Sequence, residues 1–239
     1  MKIHIEPEVF EIAPAFHRGL VIATGIDNSG DCGELEALLK EAQAGASEVG
    51  PVAELPSVAA WDEAHRAFSS NPNKFPPAHK NLFKRVSRPD VHLPFISKVV
   101  AIMNTASLRL CTPVGGDDIN RAQSFGKCLE LRRARGNESF VPLGKNASEE
   151  HPEPGEIIYV VGETVMCRRW NWRNSCQTLI GNDTTRIVMN IDCLGADAGT
   201  TAQEGAKLVG DLLEQHCGAT VALELLHKGN PEFDFDSET

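Results

Sequence analysis

The chain of 239 residues lacks any apolar run long enough to cross a bilayer. Its first ten residues, Met1 to Phe10, alternate charged and apolar side chains, which suits neither a secretory signal nor a membrane span. A soluble cytoplasmic protein with no membrane partner is therefore expected. Paired cysteines are missing as well. The seven present, at 32, 111, 128, 167, 176, 193 and 217, fall at no zinc-finger or ribbon spacing. They read as small buried residues kept reduced, and no metal is implied. No Gly-x-Gly-x-x-Gly or Gly-x-x-x-x-Gly-Lys loop and no Gly-x-Ser-x-Gly elbow is present. That removes the common nucleotide folds and the usual serine-hydrolase turn, and no cofactor is expected. Positive charge is scarce, 23 basic against 33 acidic side chains for a net charge of -10, which opposes non-specific adhesion to nucleic acid. No internal repeat is visible.

With 41% hydrophobic and 23% charged residues and a mean hydropathy of -0.22, the chain can bury a sizeable core. Its basic residues gather in three clusters: Lys74, Lys80, Lys84, Arg85 and Arg88; Arg132, Arg133 and Arg135; and Arg168, Arg169 and Arg173. Each alone reads as solvated surface. Brought to one face, they would form a local positive patch on an acidic protein.

The segment Pro94 to Leu110 carries Phe95, Ile96, Val99, Val100, Met103, Ala106 and Leu110 at three-to-four spacing, which predicts a helix with one buried face. Pro113 ends it, and Gly115-Gly116 predict a turn with positive φ that exposes backbone donors. Strands are predicted over Lys2 to Ile5, Leu20 to Ile26, Cys128 to Ala134, Glu156 to Val161, Thr164 to Cys167, Thr184 to Leu194 and Thr220 to Leu226. Ser139 to Leu143 reads as a strand joined to the preceding one by a Gly136-Asn137 hairpin turn. Helices are predicted over Glu34 to Ala44, Val58 to Phe68 and His79 to Val86, the last with its basic side outward. A further helix starts near Thr201, with Glu204 completing a capping box, and stops at Cys217-Gly218. The prolines of Asn71 to Pro77 make a connecting arm, and the acidic end, 231–239, reads as mobile.

The segment richest in chemistry is Cys167-Arg-Arg-Trp-Asn-Trp-Arg-Asn-Ser175. Trp170 and Trp172 offer faces for stacking, and Arg168, Arg169 and Arg173 offer planar donors for phosphate or carboxylate. Core filling by the tryptophans, with the arginines reaching to solvent, fits the same residues. A compromise buries one ring and lines a pocket with the other. Asp117-Asp118 can cap a helix or face solvent as readily as bind a cation. Cys111 and Cys167 lie near these segments but have no histidine beside them in sequence.

Together these segments resemble the B3/B4 domain of the phenylalanyl-tRNA synthetase β subunit, in the form found outside the synthetase. The resemblance rests on Asn104 with Leu108-Arg-Leu-Cys-Thr-Pro-Val-Gly-Gly-Asp-Asp118, on Leu131 to Leu143 ending in Phe-Val-Pro-Leu-Gly, and on Pro154-Gly-Glu-Ile-Ile-Tyr159. Cys167-Arg-Arg-Trp-Asn-Trp-Arg173 with Thr184-Thr185 completes it. It implies one α+β domain over 1–239, best matched across 94–194, with helices packed on a largely antiparallel sheet. It implies an editing module that accepts the acylated 3′ end of a transfer RNA and hydrolyses the wrong ester. The synthetase's helix asparagine falls on Asn104, its pocket histidine on Gly115 and its pocket glutamate near Asn190. Its glycine loop is replaced by Trp-Asn-Trp-Arg.

The site expected from the resemblance takes Asn104, Asp118, Asn190 and Asp192 as catalytic candidates. Gly115, Gly116, Arg168, Arg169, Trp170, Trp172 and Arg173 are its binding candidates. The partner expected is tRNA or aminoacyl-tRNA, or a small amino acid. Because the histidine and glutamate are replaced, a module that binds RNA or an amino acid without hydrolysis is the alternative.

Overall fold

In the computed structural model, which describes residues 1–144 and 147–235, two sheets stack and helices cover one of them. The smaller sheet is built on two apolar strands, β2 (His17–Thr24) and β8 (Arg186–Cys193). They pair antiparallel over their whole length, Thr24 opposite Arg186 through His17 opposite Cys193. β3 (Val114–Asp118) adds to the free side of β8 and β9 (Thr220–His227) to that of β2. The larger sheet runs in the order β10 (Glu232–Asp234), β1 (Lys2–Ile5), β4 (Cys128–Arg133), β5 (Ile157–Val161), β6 (Thr164–Arg168) and β7 (Arg173–Asn174). Every ladder is antiparallel except β1 with β4.

Strand alternation divides the core in two. Val21 and Ala23 of β2 and Ile187, Met189 and Ile191 of β8 face α2 (Gly33–Ser47), α5 (Lys98–Leu110) and α7 (Ala198–Cys217). Leu20 and Ile22 of β2 and Val188 of β8 face the larger sheet, whose Ile3, Leu129, Leu131 and Ile157 point back at them. Both strands are buried on both faces, which is why solvent-facing residues do not alternate with apolar ones along them; Asn190 and Asp192 of β8 are buried polar exceptions. Gly19 of β2 sits where α7 crosses: a Cβ there would lie 2.1 Å from the Ala202 carbonyl oxygen, so a side chain would push the helix away. Trp61 of α3 (Pro56–Ala67) and the short α1 (Pro7–Ile12) close the second core, and α4 (Ala78–Val86) follows the proline arm.

Several expectations are corrected. α5 starts at Lys98, where Ser97 caps it by accepting from the Val100 N–H; Ile96 lies before the helix and is 65% exposed. The left-handed residue that ends α5 is Cys111, with φ of 50°, and neither Gly115 nor Gly116 has positive φ. These glycines are strand, because β8 offers them an open edge and the space over Gly116 is closed by the Val188 carbonyl and the Met189 side chain. Gly136-Asn137 makes no hairpin. The Glu138 carboxylate instead accepts from the Arg135 and Gly136 N–H groups and from Arg132, folding the chain onto itself. Phe140 bridges only to Glu150, Ser139 to Thr164 and Pro142 to Ser175.

α7 begins a turn before Thr201, whose N–H donates to the Asp197 carbonyl, so the capping box does not form. Lys80 of α4 is buried against Asp62 rather than outward. In the acidic end, Glu232–Asp234 is a strand on β1, while 236–239 lie outside the described residues. Two more short elements matter below: α6 (Ile119–Gln123), which follows β3 directly, and the four-residue turn 169–172 between β6 and β7.

Candidate functional site

Between the two sheets, where β3 and β8 meet the turn 169–172, lies a cavity of about 80 Å³. Gly115, Gly116 and Asp117 come from β3, Asn190 and Asp192 from β8, Tyr159 and Cys167 from the larger sheet. Trp170, Asn171, Asn174 and Ala78 complete the wall. It holds several waters or a group of that size. A groove of about 590 Å³ between α2 and the chain after α4 is larger. Its one buried polar side chain, Gln43, is satisfied by the Leu39 carbonyl and the Leu93 N–H, so nothing there waits for a ligand.

Register decides which expected residues reach the cavity. Gly115 pairs with Asn190 and Asp117 with Val188, so 115 and 117 share the face that looks toward the larger sheet. Gly116 and Asp118 share the opposite face. Asp118 accepts from the Arg121 N–H at 3.0 Å and from Thr184 Oγ1 at 2.6 Å, and so caps α6 outside the cavity. The Asp192 N–H donates to the Pro113 carbonyl and the Asp118 N–H to that of Thr178. The ladder's alternation therefore turns the Gly115 N–H onto β8 and the Gly116 N–H to the open edge. Asn104 is half-buried on α5, in the helix layer, with the smaller sheet between it and the cavity.

Asp192 is the hub of a buried network. It accepts from Arg18 Nε at 2.8 Å, from Trp170 Nε1 at 3.2 Å and from the Tyr159 hydroxyl, which Arg18 also contacts. Through these bonds it positions Trp170 and Tyr159. Burial holds the Tyr159 hydroxyl well above its ordinary pKa, so it remains a donor. Arg18 was not legible as a site residue; a buried charge inside a strand that is otherwise largely apolar is the signal it leaves.

Asp117 is different. One oxygen accepts from Thr178 Oγ1 at 2.6 Å, and burial, with the neighbouring Asp118 adding to it, pushes its carboxyl up to about 7 against the pull of that hydrogen bond. Beside it Gly115 leaves open space: a Cβ there would meet nothing within 4 Å. Two amides complete the polar lining. Asn190 is 8% exposed, and its Oδ1 has no partner among the described residues. Asn171 Oδ1 lies 3.1 Å from His65 Nε2, while its buried Nδ2 has no partner. Burial lowers His65 to about 4, so the ring is neutral; with Nε2 assigned as the donor, the Asn171 amide offers its N–H groups.

The arginines lie outside the cavity. Arg168 makes two bonds to Glu156, at 3.0 and 2.9 Å, and one to Glu150 at 3.0 Å. Arg169 stacks on Phe75 at 3.9 Å and reaches Glu156 at 3.4 Å. Arg173 is half-exposed, 3.4 Å from Glu150, and packs on Trp172. Left-handed backbone at Arg169 and Trp170, with φ of 48° and 65°, turns the indole of Trp170 inward. Trp172 stays outside, edge-on to Phe75 at 4.7 Å. Cys111 and Cys167 are poor nucleophiles: burial raises Cys111 to about 11 and Cys167 further. Among the described residues no cluster of three His, Cys, Asp or Glu side chains is arranged to hold a metal.

No curated protein matches the chain. Among solved structures it is similar to an N-terminal fragment of the phenylalanyl-tRNA synthetase β-subunit from Pyrococcus horikoshii. The identity is 9% and the TM-score 0.46, over 92% of this chain and 49% of that one. The chain thus spans about half the length of that structure. No helix among the described residues is long and apolar enough to cross a membrane. Residues 60–208, which run from α3 into α7 and include every cavity-lining side chain, match the B3/4 domain model, and the chain belongs to the B3/4 domain family.

Proposed function

We propose that the cavity receives the acylated 3′ end of an aminoacyl-tRNA and that Asp117 hydrolyses its ester. One observation carries the proposal: a carboxyl poised near neutrality inside a small cavity, beside the side-chain-free Gly115. A general base works best with a pKa close to the operating pH. The Asp117 carboxylate takes a proton from a water, and the hydroxide formed attacks the ester carbonyl carbon. When the intermediate collapses, the ribose oxygen leaves and recovers the proton from Asp117. Family membership and the resemblance of the 104–118 and 167–173 segments to the synthetase's editing domain support an aminoacyl-tRNA as the substrate. Asp192, Arg18 and Tyr159 keep the walls in place, and Trp172 with Arg173 lies outside, where the terminal nucleotide would rest.

The test is release of amino acid from a panel of mischarged transfer RNAs by the full chain, with Asp117→Asn and Gly115→Val beside it. Release rises with pH to a plateau above about 7. Asp117→Asn lowers it on the order of 10²- to 10⁴-fold, and Gly115→Val blocks it by filling the cavity. Release unaffected by either variant would remove this cavity from the reaction. No release together with binding of the same RNAs would leave a receptor without chemistry.

A further inference from the structure

The cavity that takes the acyl group has walls that cannot move apart. Trp170 is fully buried, its Nε1 donates to Asp192, and its ring is edge-on to Trp61 at 5.0 Å and to Phe16 at 5.1 Å. Tyr159 is fixed by Arg18 and Asp192, and the opposite wall is the β3–β8 ladder. Rotating either ring would break a buried charge-assisted hydrogen bond and open a void in a close-packed core. The room is therefore set at about 80 Å³, against about 590 Å³ for the groove beside α2. An apolar cavity that takes up a benzene ring measures roughly 150 Å³. A benzyl or hydroxybenzyl side chain does not fit.

The lining adds a chemical requirement. Asn171 Nδ2 is a donor and Asn190 Oδ1 an acceptor, both more than nine-tenths buried and both without a partner among the described residues. An unmade hydrogen bond at such a position is costly, so the natural occupant supplies an acceptor for one amide and a donor for the other. One hydroxyl does both. Resting on the proposed function above, we infer that the cavity selects acyl groups with a small hydroxyl-bearing side chain, as in serine or threonine, and excludes aromatic ones.

The experiment uses one transfer RNA body acylated in turn with serine, threonine, alanine and tyrosine, so that only the side chain varies. With the full chain, the seryl or threonyl ester is released at least tenfold faster than the alanyl ester and at least a hundredfold faster than the tyrosyl ester. Asn190→Leu brings the seryl rate down to the alanyl rate. Tyrosyl release equal to seryl release overturns the inference and leaves the hydrolase standing, and so does equal release of serine and alanine. Binding of non-hydrolysable amide-linked seryl- and tyrosyl-adenosine, followed by calorimetry, reads the same selectivity without catalysis. Seryl preference there with no ester cleaved keeps the inference and sinks the hydrolysis. Equal or absent binding of the two analogues sinks the inference whatever the esters do.

Discussion

Asp117 costs the folded protein stability at the pH where it would work. Its carboxyl moves from the ordinary 3.8 to about 7 because the charged form loses its water. Below pH 3.8 both folded and unfolded chains hold the proton, and there is no penalty. Between 3.8 and 7 the unfolded chain has released it and the folded chain has not, so stability falls as pH rises, and above 7 the penalty is complete. Its upper bound is about 4 kcal/mol. Asp117→Asn cannot ionise, so its stability relative to the parent should improve by about 2–4 kcal/mol between pH 4 and 8. Urea unfolding of both proteins at pH 4.5, 6 and 8 measures this, and parallel profiles would mean that the carboxyl titrates normally. The neighbouring Asp118 instead caps α6. Nothing in the pair Asp117-Asp118 distinguishes the two in sequence. Only the register of β3 on β8, with its period of two, sends one into the cavity and the other to a helix terminus.

At the scale of elements, local patterns were legible and long-range pairing was not. The apolar spacing on α5, the β-branched run of β2 and the Gly218 stop of α7 are written in neighbouring residues. The cavity is assembled from partners far apart in the chain: Arg18 with Asp192, His65 with Asn171, Asp117 with Thr178. No window of sequence contains such pairs. Segments 114–118 and 167–175 do meet around the cavity, yet the arginines expected as binding residues are neutralised by Glu150 and Glu156, whose role depends on how β5 and β6 pair.

Positive charge without such partners lies on and just after α4 instead. Lys84, Arg85 and Arg88 are exposed, and none pairs with a carboxylate among the described residues. Ala78, at the start of the same helix, lines the cavity, about 10 Å along the axis from Arg85. Under the proposed function, this helix is where an RNA backbone leading to the cavity would lie. Changing Lys84, Arg85 and Arg88 together to Ala should weaken tRNA binding and reduce the slope of log K against log salt by about 2–3. Release from a short acylated adenosine, which carries no backbone, should be unchanged. Binding with an unaltered salt slope would place the RNA on another face.

For the whole molecule, the cavity wall and the acid stability of the fold are one problem. Trp61, which packs on Trp170, also packs against His65 and His79, two imidazoles buried with few partners: His65 Nδ1 and both nitrogens of His79 have none among the described residues. Burial, the largest cause in each, lowers His65 to about 4 and His79 to about 3 from 6.5. The unfolded chain takes up these protons as pH falls through 6.5 and the folded chain refuses them. Stability is therefore complete above 6.5 and is lost on acidification, by about 2 kcal/mol per histidine at pH 5. Asp117 works in the opposite direction over part of that range, but one carboxyl cannot offset two imidazoles. Stability should rise from pH 4 to about 7 and change little above it. His79→Phe keeps an aromatic ring against Trp61 and removes one of the two protonation sites. It should lose essentially all of the rise between pH 4.5 and 6.5, because Asp117 then balances the one imidazole that remains, while tryptophan near-UV circular dichroism at pH 7 stays that of the parent. An unchanged acid slope in that variant would mean that His79 is solvated, and the packing that closes the cavity would be looser than these ring contacts indicate.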